Sequence, residues 1–200
     1  MINAAVASVE AADWGPFDKV EHVLVDDHAG KLGRSAARNK GMIEADWYFF
    51  LDADDRLRPD ALNLIEFNAS ATFGAVALDG KVTKENVWPC GWGEIARHGS
   101  LGTLSMGFFC RSDVARRLRF NEDMDAGEDF DFYMRLPDFV KVRQPLVDIG
   151  YSAPSAGGPR GYKRIDWTGI CNTIIREKYD FGRNAILAKA GSTCQNAEEL

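Results

Sequence analysis

The stretch Tyr48–Phe49–Phe50–Leu51–Asp52–Ala53–Asp54–Asp55 joins four bulky apolar residues to three closely spaced carboxylates. Such an apolar run is typical of a strand that is covered on both faces of a parallel α/β sheet. Ligands of these sheets gather beyond the carboxyl ends of the strands, where the three acids would lie. Mg²⁺ and Mn²⁺ prefer oxygen ligands, usually one or two carboxylates together with substrate phosphates. The stretch therefore predicts a buried strand with half of a metal site at its tip.

A helix start is the alternative explanation for these acids. Asp54 or Asp55 could cap a helix that begins near Arg58–Leu62, because Asp and an early Pro suit a helix N-terminus. The stretch alone does not decide between the two.

A second acidic cluster, Gly127–Asp131, precedes an apolar and aromatic run in the second half of the chain. Acids also stabilise helix N-termini, so this cluster has the same structural explanation. Two such clusters, each beside sequence of a buried type, nevertheless favour one functional site. One cluster could hold a metal while the other supplies a general base.

The residues before the first cluster predict the order strand, helix, strand. Val20–Val25 has the composition of a strand and ends at two acids, and Ser35–Ala45 predicts a short helix. This order implies a right-handed parallel crossover. Further elements are predicted along the chain: helices at 4–12, 59–69, 112–118 and 167–179, and strands at 73–78, 102–110, 140–144 and 146–149.

Composition indicates a globular protein with one core. The chain has 200 residues, of which 46% are hydrophobic and 27% charged. No apolar stretch approaches the roughly 20 residues of a membrane span. Acids near the N-terminus replace the Lys or Arg of a signal peptide, so a cytoplasmic protein is expected. The four cysteines and three histidines are too scattered to predict a zinc site or a disulfide framework.

The net charge of −6 is unevenly distributed. Residues 1–140 carry 15 Lys and Arg against 24 Asp and Glu, whereas residues 141–200 carry 9 against 6. The basic tail could close over an anionic ligand or could simply be a solvated surface. The acidic body argues mildly against DNA as a partner, whereas the basic tail and four arginines are consistent with DNA binding: Arg111, Arg116, Arg117 and Arg119.

Three motifs, in their order, resemble glycosyltransferase family 2, whose members are nucleotide-sugar enzymes of the GT-A fold. They are VEHVLVDD at 20–27, GRSAARNKGMIEADWYFFLDADD at 33–55 and GEDFDFYMRL at 127–136. The resemblance covers about residues 20–150. It implies an α/β, GT-A-like fold with a Rossmann-type, mostly parallel central sheet flanked by helices. The family's usual first strand and Pro-x-Tyr-Asn-like turn are not found, so the fold is expected to be reduced at its N-terminal nucleotide-binding half.

The resemblance also implies how a single GT-A-like domain is organised over residues 1–200. Residues 1–80 would form about the nucleotide-sugar-binding half and residues 81–150 the acceptor and catalytic half, followed by a basic loop and terminal helix at 151–200. Loss of the first strand could leave an open sheet edge that a second chain covers. A homodimer is therefore one expectation.

On the donor side, the resemblance assigns four nucleotide-sugar-binding candidates besides the DxD acids, and the composition of a later segment adds a fifth. Asp26 or Asp27 would contact the base, and Arg38 and Asn39 would lie against the nucleotide pocket. Arg160, in a glycine-rich segment, could fold over the diphosphate, although a solvated loop explains it equally well.

The DxD motif and the second acidic cluster would divide the chemistry between them. Asp52 would lie near the ribose, and Asp54, with Asp52 as a second candidate, would bind Mn²⁺ or Mg²⁺ bridging the diphosphate. Asp129 matches the proposed general base, with Glu128 beside it.

The resemblance thus implies a metal-dependent inverting glycosyltransferase with a nucleotide-diphosphate sugar as donor, a UDP-sugar by default. The acceptor hydroxyl could belong to a glycan, a protein, a small molecule or a modified base in DNA. A degenerate binding module without catalysis and a metal-dependent phosphohydrolase are the other hypotheses. Four carboxylates that converge on one cleft are costly without a metal or proton, which argues against the degenerate module.

Overall fold

The computed structural model of the chain describes residues 2–27, 30–78, 81–82, 104, 106–124, 127–149 and 173. These residues contain both helices and strands, which confirms the predicted α/β class. Their order is α1 (Ile2–Glu10), α2 (Arg34–Lys40), β1 (Trp47–Phe50), β2 (Arg56–Leu57), a 3-10 helix (Ala61–Leu64), β3 (Ala71–Leu78), β4 (Lys81–Val82), β5 (Phe108–Arg111), α3 (Ser112–Leu118), α4 (Glu128–Arg135) and β6 (Val140–Ile149). Among these described helices, none has both the length and the apolar character that a membrane span requires.

The strands form one sheet in the order β1-β5-β3-β6-β2, with β4 added to β3. Only β3 and β6 pair in parallel among the described strands, and the other pairs are antiparallel. The expected mostly parallel sheet is therefore corrected to a mixed one. One face of β1, with Tyr48 and Phe50, is buried, and the other is partly buried, but burial does not determine the direction of the neighbouring strand. That direction is set by β5, which places Cys110 opposite Tyr48.

The predicted strand Val20–Val25 does not form, because residues 19–27 belong to neither a strand nor a helix. Val23 and Leu24 are exposed, so the segment lacks the buried face that its composition suggested. The predicted parallel crossover is consequently wrong. The helix that follows ends at Lys40, earlier than predicted, where the Gly41 N–H caps it by bonding the carbonyls of Ala37 and Arg38.

Strand β6 runs without interruption through Pro145, where the sequence predicted two strands. Pro145 lies opposite Ala75, and the register between β3 and β6 shifts on either side of this pair. Such an irregularity accommodates a residue that has no N–H to donate. A Cβ on neighbouring Gly74 would lie 2.5 Å from Leu146 Cγ and 2.8 Å from the Gln144 carbonyl oxygen, so only glycine fits there.

The helix predicted at 59–69 is limited to the 3-10 turn Ala61–Leu64. Four other predictions are confirmed: α3 has the predicted ends, α1 and β3 begin two residues earlier, and β5 is a strand at Phe108–Arg111. The helix predicted at 167–179 lies outside the described residues, apart from Thr173, which is helical.

An aromatic core holds α4 against the sheet. The Phe132 ring stacks on Phe120 with centroids 4.4 Å apart, and the Tyr133 ring meets Phe108 edge-on at 5.3 Å. All four side chains are at most 2% exposed. Burial of several large aromatic rings stabilises the docking of α4, and this fixes the position of the acids in its first turn.

Candidate active site

The acidic turn, residues 51–55, follows directly after β1. The Asp55 N–H donates to the Asp52 carbonyl at 3.0 Å, which turns the chain as soon as the strand ends. The Asp52 side chain is 38% exposed, and Asp54 is half-buried. Burial, aided by the charge of Asp52, raises the pKa of Asp54, whereas Arg34 opposes this change. Negative charge is therefore crowded at the tip of β1.

A helix cap does not explain the acidic turn. The residues after Asp55 form strand β2, and the next helical turn begins only at Ala61. The alternative of a cap at Asp54 or Asp55 is therefore wrong.

The acidic helix start, Gly127–Asp131, is the second cluster. Gly127 has a φ of 78°, a left-handed conformation that favours glycine, and α4 begins at the next residue. The Phe130 N–H donates to Asp129 Oδ1 at 2.7 Å. Glu128 is only 2% exposed. These acids occupy the first turn of a helix, where negative charge is stabilised by the free N–H groups. The predicted structural explanation for the cluster is therefore confirmed, and it does not exclude a catalytic role.

Asp129 has an altered acidity. Burial, followed by the charge of Glu128, raises its pKa to about 6, although Arg38 and the Phe130 N–H act in the opposite direction. A carboxyl group of this kind changes its protonation state close to neutral pH.

Arg38 links the two clusters. Its Nη1 donates to Glu128 Oε1 at 2.7 Å and its Nη2 to Asp52 Oδ1 at 2.9 Å. The guanidinium carbon lies 5.3 Å from the centre of the Phe120 ring. Despite burial, the two carboxylates raise the pKa of Arg38. The expectation that the clusters converge is confirmed, and the positive charge that relieves Asp52 and Glu128 comes from the chain itself.

Asn39, beside Arg38 on α2, is buried, with only 5% of its surface exposed. Its Nδ2 donates to the Phe120 carbonyl at 2.9 Å and to Glu122 Oε1 at 2.8 Å, and its Oδ1 accepts the Phe120 N–H at 2.8 Å. The amide thus ties α2 to residues 120–122. Its predicted contact with a nucleotide stays a prediction, with these bonds as the competing explanation.

The predicted base-binding acids lie in the segment before α2. Asp27 accepts the N–H groups of Leu32 and Gly33, both at 2.9 Å, and the Leu32 bond is the main reason why its pKa is lowered. Asp26 is exposed. Their contact with a nucleotide base stays a prediction, and Arg160 lies outside the described residues.

Two residues beside the site were missed by the sequence patterns. Phe120 carries no motif signal, and only the fold brings its ring to Arg38. Tyr133 lies four positions after Asp129 and hence on the same face of α4. Burial, followed by the charge of Asp129, raises the pKa of Tyr133 well above its usual value. Its hydroxyl donates to the sulfur of Met106 at 3.3 Å.

The acidic turn fits an incomplete metal site. Within the described residues, no group of three or more His, Cys, Asp or Glu side chains is arranged to hold a metal. Asp52 and Asp54 nevertheless offer the one or two carboxylates that Mg²⁺ or Mn²⁺ uses when a diphosphate supplies further ligands. Burial, followed by the charge of Asp52, raises the pKa of Asp54, so a bound cation would stabilise the ionised form of this carboxyl group.

No protein-family model and no curated protein matches this sequence. Similar solved structures include the crystal structure of S. aureus TarS 1-349 and its complexes with UDP-GlcNAc and with UDP. Each has a TM-score of 0.47, with 16%, 16% and 17% identity respectively. Each likeness covers 58% of this chain but only 40%, 38% and 39% of the respective TarS chains. This chain therefore spans about two fifths of their length.

Proposed function

We propose that this chain is a metal-dependent inverting glycosyltransferase that moves a sugar from a nucleotide-diphosphate sugar, a UDP-sugar by default, to an acceptor hydroxyl. The observation that carries the proposal is the Arg38 link, which joins Asp52 of the acidic turn to Glu128 of the acidic helix start. Both carboxylates belong to motifs that resemble glycosyltransferase family 2.

The two clusters suit the two halves of an inverting transfer. Such a reaction needs a base on one face of the sugar and charge stabilisation for the departing diphosphate on the other. Asp54 and Asp52 would hold Mn²⁺ or Mg²⁺, which when bound neutralises charge on the diphosphate. Asp129 would accept the proton of the acceptor hydroxyl, so metal and base would come from opposite sides of the Arg38 link.

The acidity of Asp129 suits this role. With a pKa of about 6, the carboxyl is largely ionised at neutral pH and still binds a proton more readily than an ordinary Asp does. Partial exposure of the side chain leaves it accessible to an acceptor. A general base needs both properties.

A binding module without catalysis is the second candidate, and the charge compensation that Arg38 provides favours it. The convergence of four carboxylates favours a bound metal only if their repulsion is not relieved in another way. Since Arg38 already compensates Asp52 and Glu128, the fold tolerates the convergence without any ligand. Release of UDP from a UDP-sugar distinguishes the transferase from the binding module.

A modified base in DNA ranks below other acceptors. Arg111 Nε donates to Asp113 at 2.6 Å, and Arg116 Nε donates to the Tyr48 hydroxyl at 2.6 Å. Arg119 also pairs with Glu122 at 3.6 Å, so three of the four arginines that are consistent with a DNA acceptor are engaged within the protein. Engaged side chains contribute less to a phosphate-binding surface.

The first experiment is calorimetric titration with UDP and other nucleoside diphosphates, with and without Mn²⁺. The protein is then incubated with UDP-sugars, and the amount of UDP released is measured. Mn²⁺-dependent binding together with UDP release would support the transferase. Binding without release would support the module, and release of phosphate without an acceptor would indicate a phosphohydrolase.

A further inference from the structure

Arg38 contacts both acidic clusters from a third element of the fold. It lies on α2, whereas Asp52 follows β1 and Glu128 begins α4. Its side chain is 14% exposed and that of Glu128 3%, so the pair with Glu128 is shielded from water. A charge pair shielded in this way resists rearrangement, because separating it would leave a buried carboxylate uncompensated.

The direction of the Arg38 side chain is fixed from two sides. Asn39, the next residue of α2, is tied to the backbone of Phe120 by two hydrogen bonds. The Phe120 ring then lies beside the guanidinium at 5.3 Å. These contacts hold the planar fork of Arg38 in place before any ligand arrives, and the rigid guanidinium donates in two fixed directions, which the compact ammonium of a lysine does not reproduce.

We propose, building on the function above, that Arg38 is a positioning residue that fastens the acidic turn at Asp52 to the acidic helix start at Glu128. It thereby sets the separation between the departing diphosphate and Asp129. The family resemblance implies that Arg38 lies against the nucleotide pocket, whereas in the structure its Nη1 and Nη2 donate to carboxylates of the protein. A displacement of about 1 Å in such an arrangement costs roughly 100-fold in rate.

The test compares Arg38→Lys, which keeps the charge but not the fork, with Arg38→Gln, which keeps neither. UDP release from the UDP-sugar gives kcat, and calorimetry with UDP and Mn²⁺ gives the affinity. We expect Arg38→Lys to lower kcat about 100-fold while UDP affinity stays close to that of the wild type. Wild-type kcat, or a proportional loss of UDP affinity, would overturn the proposal.

A second measurement needs no donor. Carbon NMR follows the titration of Asp129, which is faced by the charges of Glu128, Arg38 and Asp52 and by the hydroxyl of Tyr133. Arg38→Gln should raise the titration midpoint, and Arg38→Lys should leave it nearly unchanged. An unchanged midpoint in folded Arg38→Gln would overturn the link even if the wild type binds no nucleotide. Failure of the proposed function alone would instead leave this shift in place.

Arg116→Lys is the matched control. Arg116 also bonds within the protein, but its hydrogen-bond partners among the described residues are the Tyr48 hydroxyl and the Ile43 carbonyl and not the acids of the site. This variant should lose thermal stability while keeping kcat, UDP affinity and the Asp129 midpoint. If it lowered kcat as much as Arg38→Lys does, loosening of the fold would explain both losses and the proposal would fail.

Discussion

The acidic turn and the acidic helix start have nearly the same composition but different surroundings. In the turn, Asp52 is 38% exposed and the acids follow a strand. In the helix start, Glu128 is 2% exposed and the acids occupy the first turn of a helix. The comparison teaches that carboxylates of one kind acquire different exposure and different charge partners from their surroundings. Under the proposed function, Asp52 and Asp54 would hold the metal, and the partly exposed Asp129, beside the buried Glu128, would accept the proton.

The same two causes raise the pKa of one carboxyl group in each cluster. Burial raises the pKa of Asp54 and that of Asp129, and in each case a neighbouring carboxylate adds to the shift. What distinguishes them is the opposing charge, which is Arg34 for Asp54 and Arg38 for Asp129. Substitutions that act on one cluster and not on the other would sharpen this comparison.

The largest expected effect is that of Asp129→Asn on catalysis. The amide cannot accept the proton of the acceptor hydroxyl, so transfer should fall by roughly 10²–10⁴-fold. UDP affinity in Mn²⁺ should not change, because Asp129 does not belong to the acidic turn. Steady-state kinetics and calorimetry measure the two quantities. Asp123→Asn, at an exposed position, is the control. Equal activity of the two variants would show that Asp129 is not the general base.

Asp54→Ala should act on the other cluster. Loss of one charge-assisted contact costs roughly 1.5–3 kcal/mol, so Mn²⁺-dependent UDP binding should weaken by about 10-fold or more. Asp60→Ala, which removes an exposed carboxylate without a cap hydrogen bond, should bind as the wild type does. Unchanged Mn²⁺-dependent affinity of Asp54→Ala would exclude it from the metal site.

Asn39→Ala separates structural support from ligand contact. The substitution leaves the buried N–H and carbonyl of Phe120 without their side-chain partner, which should cost about 2–4 kcal/mol of unfolding free energy. Urea unfolding measures this loss. Asn63→Ala removes an exposed amide that donates to Asp13 at 2.9 Å and should cost far less. If Asn39→Ala kept full stability but bound UDP more weakly, Asn39 would be a nucleotide contact and not a structural support.

The smallest effect concerns stability and pH. The folded pKa of Asp129, about 6, lies above the usual value, so the folded state binds the extra proton between roughly pH 4 and 6. Stability due to this group is therefore present at low pH and lost as pH rises through 6. Asp129→Asn should exceed the wild type at pH 7.5 by on the order of 2 kcal/mol, and the gain should vanish near pH 4. Urea unfolding at both pH values checks this, and a gain that did not depend on pH would contradict it.

Sequence reasoning succeeded where local patterns and tertiary structure agree. The apolar run before Asp52 forms β1, and the acids before the aromatic run open α4. It failed at Val20–Val25, whose strand-like composition meets no partner strand among the described residues. It also divided β6 at Pro145, because the compensating register shift depends on β3.

The sequence by itself determined the α/β class and the two acidic clusters, because apolar runs and carboxylates are local properties of the chain. Only the tertiary structure decided the mixed direction of the strands and the Arg38 link. Strand direction depends on hydrogen bonding between distant segments, and the link depends on three elements that meet in space. The raised pKa of Asp129 also belongs to the tertiary structure, since burial and neighbouring charge exist only after folding.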